Sequence, residues 1–280
     1  MEITFLGLGN MGLPVALNLV KAGHHVKSVV YKRPDGPEAL KAAGGEICAD
    51  VPTALKGSKL IFTILPDDNA LLTALLEPAV MDALEPGAVL VDMTSCSAKA
   101  VSQVAEAYAE KGVAVIDAPV SGGVGGAKNA TMTLMCCGDK AAFDSVEPVL
   151  HQIGGKVFYL GDKVGTGKMV KSLNNLLCAI DKVAVGEAVK IVKANNIDPQ
   201  AVYDVIKVST GNSKQFESTF FQVYEEDFAT RFALKLMRKD LGLALDLAEG
   251  LDVPMSQLTL DRYRQASAYD EEDSSAVARL

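Results

Sequence analysis

Two polar side chains share one face of a mostly apolar helical segment. Lys171 and Asn175 are four residues apart, so they project from the same side of an α-helix, and Lys168 precedes Lys171 by three residues. Burial and a neighbouring positive charge both lower the pKa of a lysine, which would suit Lys171 to general acid–base catalysis. The alternative is that Lys168 and Lys171 are solvated at the start of the helix, and spacing alone does not decide between these interpretations.

A glycine-rich segment offers groups that bind an anion. The segment 117–127 directly follows an apolar run, which places it at the carboxyl edge of a parallel sheet, where ligands bind. Ser121, Gly122 and Gly123 can present a hydroxyl and bare backbone N–H groups to a carboxylate. A flexible glycine-rich loop explains the same composition equally well.

The amino terminus carries the glycine spacing of a dinucleotide site. The apolar run 3–6 is followed by Gly7-Leu8-Gly9-Asn10-Met11-Gly12 and then by a helical pattern. In this order Gly7 permits a tight turn, Gly9 lets the backbone approach a pyrophosphate, and Gly12 lets helix and strand pack closely. The free N–H groups at the helix start would bind the pyrophosphate. We therefore expect residues 7–12 to bind a cofactor, the alternative being an ordinary glycine-rich turn.

Alternating strands and helices must position these residues. Up to about residue 160 apolar runs alternate with helical patterns, which predicts a Rossmann-type, doubly wound α/β sheet. Strands are predicted at 26–31, 60–65, 88–94, 113–116, 133–137 and 157–160, and helices at 12–22, 36–43, 68–84, 98–111 and 139–152. A long helix is predicted over 168–195, followed by helices at 198–207, 212–224, 232–249 and 254–268. We expect a dinucleotide-binding domain over 1–163 and an all-α domain over 164–280 that begins with this long interdomain helix.

Composition excludes several classes of function. The net charge of −8 argues against nucleic acid or an anionic membrane as the main partner. No apolar run reaches the ~18 residues that cross a bilayer, and because the first strand begins at residue 2 we expect no signal peptide. The five cysteines contain no C-x-x-C pair and the three histidines form no metal-ligand pattern. These features predict a cytoplasmic protein with reduced thiols and no metal.

The motifs together resemble those of the β-hydroxyacid dehydrogenase family, of the 3-hydroxyisobutyrate dehydrogenase and tartronate semialdehyde reductase type. The similarity runs from Phe5 to about Ala276. F-L-G-L-G-N-M-G at 5–12 resembles the cofactor signature of the family, and D-A-P-V-S-G-G at 117–123 resembles its substrate motif. Gly167, Lys171 and Asn175 match its G-x-x-x-K-x-x-x-N catalytic motif. Lys239-Asp240-Leu241, preceded by Phe232, is similar to its late cofactor and substrate motif.

The resemblance implies an NAD(P)-dependent oxidoreductase acting on a short 3-hydroxy acid or semialdehyde acid. It implies Lys171 as the general acid/base and Asn175 as a second catalytic residue. The residues implied to hold the substrate are Ser121, Gly122, Gly123, Asn175 and Lys239. It also implies that Phe232 and Lys239 close the cofactor and substrate site from the helical domain. A homodimer or homotetramer built through the long helix is the expected assembly.

Three segments depart from the family pattern. Thr94-Ser95 stands where relatives usually have Ser-Thr, so Ser95 keeps a hydroxyl for the cofactor but loses the methyl group. Ala130-Thr131 replaces a Gly-Thr pair, and alanine restricts the backbone there. The segment 210–215 matches no substrate class, so the identity of the substrate stays open.

The end of the second predicted strand bears on the choice of cofactor. An enzyme specific for NAD normally has an acidic residue there to bind the ribose 2′-hydroxyl, whereas this chain has Lys32 and Arg33. Arg33 can pair with a 2′-phosphate, with Lys32 as support. Asp35 is the counter-evidence, but we interpret residues 35–37 as a turn in which Pro34 keeps Asp35 off the ribose. NADP is therefore the preferred cofactor, with NAD possible.

Two other classes of function compete with this interpretation. A nucleotide-binding protein could keep the fold and lose the chemistry, although Lys171 and Asn175 are intact. An imine reductase is a second alternative on a similar scaffold. Such relatives tend to replace the lysine that this chain retains, and a carboxylate site fits an acid better than a neutral imine.

Overall fold

A parallel six-stranded sheet forms the first part of the protein. The computed structural model describes residues 1–31 and 34–280. The sheet has the order β3-β2-β1-β4-β5-β6, and its strands are β1 (Glu2–Leu6), β2 (His25–Val29), β3 (Glu46–Cys48), β4 (Leu60–Thr63), β5 (Val89–Asp92) and β6 (Ala114–Asp117). The strand order reverses between β1 and β4, which is the topological switch point of a doubly wound sheet. The prediction of a Rossmann-type domain is therefore confirmed.

Helices cover both faces of this sheet. They are α1 (Gly12–Lys21), α2 (Asp35–Ala42), α3 (Val51–Leu55), α4 (Asp68–Leu75), α5 (Pro78–Asp82), α6 (Ala98–Ala109), α7 (Gly123–Lys128) and α8 (Lys140–Leu150). One apolar cluster includes Ile3, Phe5 and Leu19, and a second includes Ile61 and Val101. Alternate residues of each strand thus supply two cores, because both faces of a parallel sheet are buried.

The last strands of this part depart from the predicted single parallel sheet. β7 (Val120–Ser121), β8 (Met132–Cys136) and β9 (Gly154–Tyr159) form a separate three-stranded sheet. β7 and β8 are antiparallel, because the chain reverses through the glycine-rich segment, whereas β8 and β9 are parallel. The predicted helix over 68–84 is also divided in two, because Glu77 before Pro78 is extended and ends the helical conformation.

The ends of four parallel strands are aligned in one row. Leu6 of β1 is in register with Thr63 of β4, Thr63 with Asp92 of β5, and Asp92 with Asp117 of β6. Each of these residues is the last of its strand. The row therefore defines the carboxyl edge of the sheet, from which the ligand-binding loops of such folds emerge.

The second part of the protein is all helical, as predicted. Its elements are α9 (Thr166–Ala194), α10 (Pro199–Lys207), α11 (Lys214–Tyr224), α12 (Leu234–Asp246), α13 (Pro254–Gln265) and two short 3₁₀ helices, Ala266–Tyr269 and Ser274–Arg279. The core of these helices contains Phe216, Phe220, Leu241 and Tyr263. The chain divides into compact units 1–171 and 172–280, so the division falls inside α9. Within the described residues, no helix has the length and apolarity that a membrane span requires.

Candidate active site

The loop between β1 and α1 has the geometry that its glycines suggest. Gly7 has a φ of 102°, and a Cβ there would lie 2.3 Å from the Ile64 carbonyl oxygen. A Cβ on Gly12 would lie 1.8 Å from the Gly7 carbonyl oxygen, so the start of α1 touches the loop. Gly9 is exposed, and a Cβ on it would meet nothing within 4 Å. Open space beside Gly9, next to the start of a ten-residue helix, fits a pyrophosphate.

The segment after β2 is partly outside the described residues. Lys32 and Arg33, on which the preference for NADP depends, belong to the part that is not described. Asp35 is the first residue of α2, so the predicted turn at 35–37 is wrong. Proline is tolerated in the first turn of a helix, and the acidic Asp35 and Glu38 stabilise its positive end.

The loop after β5 is held by hydrogen bonds between neighbouring strand ends. The Thr63 hydroxyl donates to Asp92 Oδ1 over 2.6 Å, and the Thr94 backbone N–H donates to the same oxygen over 3.2 Å. The Thr94 hydroxyl in turn accepts a hydrogen bond from the Leu65 backbone N–H. Thr94 is therefore a buried structural residue, and Ser95, the predicted cofactor residue, follows it in a half-buried position.

Lys168 does not belong to a solvated helix face. Its side chain is 1% exposed, and its Nζ lies 2.9 Å from Asp92 Oδ2 and 2.8 Å from Asp117 Oδ1. The same ammonium donates to the Asp92 carbonyl oxygen over 2.9 Å. Burial lowers the pKa of Lys168, but the Asp117 and Asp92 carboxylates outweigh it and leave that pKa well above its usual range. The solvated alternative is therefore wrong for Lys168, whose charge is compensated by two buried carboxylates.

Asp117 caps the first turn of α9 from the end of β6. Its Oδ2 accepts hydrogen bonds from the backbone N–H groups of Gly165 and Lys168, over 3.1 Å and 3.2 Å. The Cys137 thiol donates to the same oxygen over 3.1 Å. Burial and the nearby Asp117 carboxylate raise the pKa of Cys137 to about 12, so it remains a neutral thiol. A helix start normally leaves such N–H groups unpaired, and here a strand end supplies their acceptor.

Gly167 allows this close approach of helix and strands. A Cβ on Gly167 would lie 2.4 Å from the Met135 carbonyl oxygen, 2.9 Å from Asp117 Oδ2 and 3.0 Å from Pro119 Cδ. The first turn of α9 thus packs directly on backbone of the second sheet. Lys171 is half-buried one turn further along the same helix.

The predicted carboxylate loop begins at Ser121, four residues after Asp117. Ser121 ends β7 and is half-buried, while Gly122 and Gly123 are exposed. Both glycines have a positive φ, 140° and 61°, which L side chains rarely adopt. The loop is therefore a specific conformation that glycine permits, rather than an arbitrary flexible link.

In the helical unit, Asn175 pairs with a residue that the sequence analysis did not assign a role. Asn175 is 4% exposed, and its Nδ2 donates to Asp240 Oδ2 over 2.5 Å. Asp240 is 2% exposed, and its Oδ1 lies 3.3 Å from Lys239 Nζ. The buried carboxylate thus orients the amide, since it can accept only from the NH₂ end.

Phe232, the other predicted residue of this unit, is held through its backbone. Its N–H donates to Asp273 Oδ2 over 2.9 Å, and the Arg231 N–H donates to the same oxygen over 3.1 Å. Asp273 is itself paired with the buried Lys182, whose Nζ lies 3.4 Å from Asp273 Oδ1. A buried ion pair therefore sets the start of the segment that leads into α12.

The sequence analysis did not predict the buried polar contacts of four residues. They are Asp92, Asp117, Lys168 and Asp240. A signal existed for the first two, because each is an aspartate that ends a buried apolar run. Charged side chains at that place in a parallel sheet lie at the ligand-binding edge. No local pattern marks Lys168 as buried.

Comparison with known proteins covers nearly the whole chain. Residues 2–161 match the family model described as the NAD binding domain of 6-phosphogluconate dehydrogenase, and residues 165–280 match that described as NAD-binding of NADP-dependent 3-hydroxyisobutyrate dehydrogenase. The chain is 34% identical to the 2-(hydroxymethyl)glutarate dehydrogenase of Eubacterium barkeri, over all of this chain and 94% of that protein.

Two further relatives are named for other hydroxy-acid dehydrogenases. The NAD-dependent L-serine dehydrogenase of Pseudomonas aeruginosa is 31% identical, over all of this chain and 97% of that protein. A solved structure of 3-hydroxyisobutyrate dehydrogenase from Mycobacterium tuberculosis with L-serine superposes with a TM-score of 0.90 at 32% identity, covering 99% of this chain and 97% of that one.

Proposed function

Since this chain belongs to the β-hydroxyacid dehydrogenase family and is an NAD(P)-binding oxidoreductase, we propose that it transfers a hydride between NADP(H) and a short 3-hydroxy acid or semialdehyde acid. The observation that carries the proposal is the attachment of α9. Its first turn is bound to Asp117 at the carboxyl edge of the sheet, from which the Ser121 loop also emerges. This attachment supports placing Lys171 at the reacting centre.

The residues of the first unit fit a dinucleotide. A bound nicotinamide would supply the hydride chemistry, and the backbone of residues 7–12 would hold the pyrophosphate, with Gly9 giving the closest approach. Ser95 would add a hydroxyl near the end of β5. We also propose that Phe232 and Lys239 bind the cofactor, because they match the late cofactor and substrate motif of the family.

Lys171 would move the proton that accompanies the hydride. In oxidation its amine accepts the proton of the substrate hydroxyl, and in reduction its ammonium returns that proton to the substrate oxygen. The three histidines are poorly placed for this work. His24 and His25 lie at the amino end of β2, the opposite edge of the sheet, and His151 precedes the amino end of β9.

Replacement of Lys171 tests this role. Lys171→Ala should lower kcat by about 10²–10⁴-fold, the usual contribution of a general acid–base, and leave NADPH affinity unchanged. Lys163→Ala is the matched control, because Lys163 is an exposed lysine just before the same helix. If Lys171→Ala keeps more than about a tenth of the wild-type rate, with chemistry shown to be limiting, Lys171 does not carry the proton.

The substrate would be held by its carboxylate. The names of the relatives suggest a panel of L-serine, 3-hydroxyisobutyrate and 2-(hydroxymethyl)glutarate, each a carboxylate with a hydroxyl on a carbon β to the carboxylate. If Ser121, Gly122 and Gly123 bind the carboxylate, a methyl ester of the best substrate should lose at least about 10² in kcat/KM, because donors are left unpaired. Equal kcat/KM for acid and ester would contradict this assignment.

Arg33 would favour NADPH over NADH. A charge-assisted pair between Arg33 and the 2′-phosphate is worth about 1.5–3 kcal/mol, which corresponds to a preference of about 10- to 150-fold. The description of the second matching family model names an NADP-dependent enzyme, whereas one relative is named NAD-dependent. Arg33→Asp should erase the preference while activity with NADH changes much less. A wild type that prefers NADH, or an unchanged ratio in the variant, would refute the role of Arg33.

Long apolar side chains support assembly of the protein into a homodimer or homotetramer. Leu173, Leu177 and Ile191 of α9 are 50%, 64% and 61% exposed. Burial of such side chains against a second copy would remove apolar surface from water. Light scattering at micromolar concentration should therefore give a multiple of 29.5 kDa, and a monomer alone would refute the assembly.

A further inference from the structure

We propose that Lys168 is a positioning residue, whose buried ammonium group fixes the first turn of α9, and with it Lys171, against the ends of β5 and β6. This inference rests on the proposed role of Lys171. Lys168 would touch neither substrate nor cofactor and would act through the residues that do.

The contacts of Lys168 join three segments that are distant in sequence. One ammonium group lies within 3 Å of a carboxylate oxygen of Asp92 and of Asp117, and also donates to the Asp92 carbonyl. Asp92 and Asp117 are in register on neighbouring strands. A lysine side chain is normally mobile, but these contacts and full burial leave this one a single conformation.

Asp117 extends the connection to the predicted carboxylate loop. Its Oδ1 pairs with the Lys168 ammonium, while its Oδ2 accepts the backbone N–H groups of Gly165 and Lys168. The chain continues from Asp117 into β7 and the loop at Gly122. A shift of Lys168 would therefore be transmitted both to the helix that carries Lys171 and to this loop.

The charge balance of the cluster provides a distinctive measurement. Two carboxylates face one ammonium. The titratable groups near them include the Cys96, Cys136 and Cys137 thiols and the Tyr108 hydroxyl, whose pKa values are all raised, chiefly by burial. Without the ammonium, two buried carboxylates would face each other, and one would bind a proton more tightly than in the unfolded chain. Stability gained from that proton is present at low pH and is lost as the pH rises through the raised pKa.

Three variants test the proposal. Lys168→Met removes the ammonium and keeps the length of the side chain. The double variant Lys168→Met/Asp92→Asn has the same net charge in the cluster as the wild type but lacks the ammonium that joins α9 to β5 and β6. Lys163→Met is the control on an exposed lysine. Each is measured for kcat with the best hydroxy acid of the panel, for NADPH affinity by fluorescence, and for Tm between pH 5.5 and 8.5.

We expect Lys168→Met to lose about 10- to 100-fold in kcat, as for a misplacement of up to about 1 Å, with NADPH affinity unchanged. Its Tm should fall with rising pH more steeply than that of the wild type. The double variant should recover the pH dependence of Tm but not kcat, and Lys163→Met should match the wild type. A folded Lys168→Met with wild-type kcat, or full recovery of kcat in the double variant, would overturn the positioning role.

Amide hydrogen exchange on the wild-type protein provides a test that does not depend on whether the variants fold. The amides of Gly165 and Lys168 should be strongly protected, and exchange at the rate of a frayed helix end would overturn the inference. An active Lys171→Ala variant would refute the proposed role of Lys171 itself. An inactive Lys171→Ala beside a fully active Lys168→Met would refute only the inference about Lys168.

Discussion

Gly167→Ala tests how closely the placement of α9 determines the reaction. The added Cβ would lie 2.4 Å from the Met135 carbonyl oxygen, whereas ordinary van der Waals contact begins at 3.4 Å. The first turn of α9 must therefore withdraw by about 1 Å, because the neighbouring atom belongs to the backbone and cannot rotate away. The added Cβ would also lie close to Asp117 Oδ2 and Pro119 Cδ, so it cannot avoid the carbonyl by moving toward either atom.

The predicted loss is larger for activity than for stability. Overpacking costs about 1–3 kcal/mol, and the better helix propensity of alanine offsets up to about 1 kcal/mol of it. A shift of about 1 Å at the reacting centre costs about 10²-fold in rate, which corresponds to about 2.7 kcal/mol of transition-state stabilisation. We therefore expect kcat of Gly167→Ala to fall by about 100-fold, while the free energy of unfolding falls by no more than about 2 kcal/mol.

Steady-state kinetics and chemical denaturation on the same preparations provide the test. Gly242→Ala is the matched control, because Gly242 lies inside α12 and an added Cβ would meet nothing within 4 Å. That variant should gain up to about 1 kcal/mol in stability and keep its activity. If Gly167→Ala stays within threefold of the wild-type kcat, the close packing at residue 167 does not control the position of Lys171.

Three further outcomes follow from other contacts. Ala130 has a φ of 53°, so Ala130→Gly should raise the free energy of unfolding by about 0.5–1 kcal/mol in a denaturant titration, and a loss of stability would contradict this strain. Burial raises the pKa of Asp273, but Lys182 and N–H donors outweigh it and lower that pKa overall, so the carboxylate stabilises the fold above about pH 4 and this contribution is lost on further acidification. Asp273→Asn should therefore lower Tm at pH 7, and its difference in Tm from the wild type should shrink towards pH 3. A difference in Tm that is constant with pH would refute this role of the Asp273 carboxylate. Burial also raises the pKa of Cys136 and Cys137 to about 12, so neither should react with iodoacetamide at pH 8 before denaturation, as mass spectrometry of the native protein would show.

Local patterns predicted the framework of the site. The turn at Gly7 and the tight contact of Gly12 follow from a spacing that only a strand, turn and helix in succession accommodate. The alternation of strands and helices likewise predicted a doubly wound sheet. Short elements were missed, among them β3 with three residues and β7 with two, because so few residues carry no measurable periodicity.

Contacts between distant segments could not be predicted in the same way. The face of α9 that carries Lys168 was visible from its spacing, but Asp92 is 76 residues away and Asp117 is 51 residues away. A lysine at the start of a helix is more often solvated, so the sequence favoured no particular partner. The antiparallel pairing of β7 with β8 depends in the same way on the path of the intervening chain.

The buried cluster at Lys168 also bears on the order in which the nascent chain can fold. During synthesis Asp92 and Asp117 leave the ribosome well before Lys168, and amino-terminal parts of a chain generally fold first. Until residue 168 emerges, closure of the sheet edge would bury two carboxylates with no counter-charge, which is strongly unfavourable. A fragment that stops at residue 163 should therefore remain open at this edge at neutral pH, whereas one that extends through Lys171, where the compact first unit ends, includes the cation that closes it.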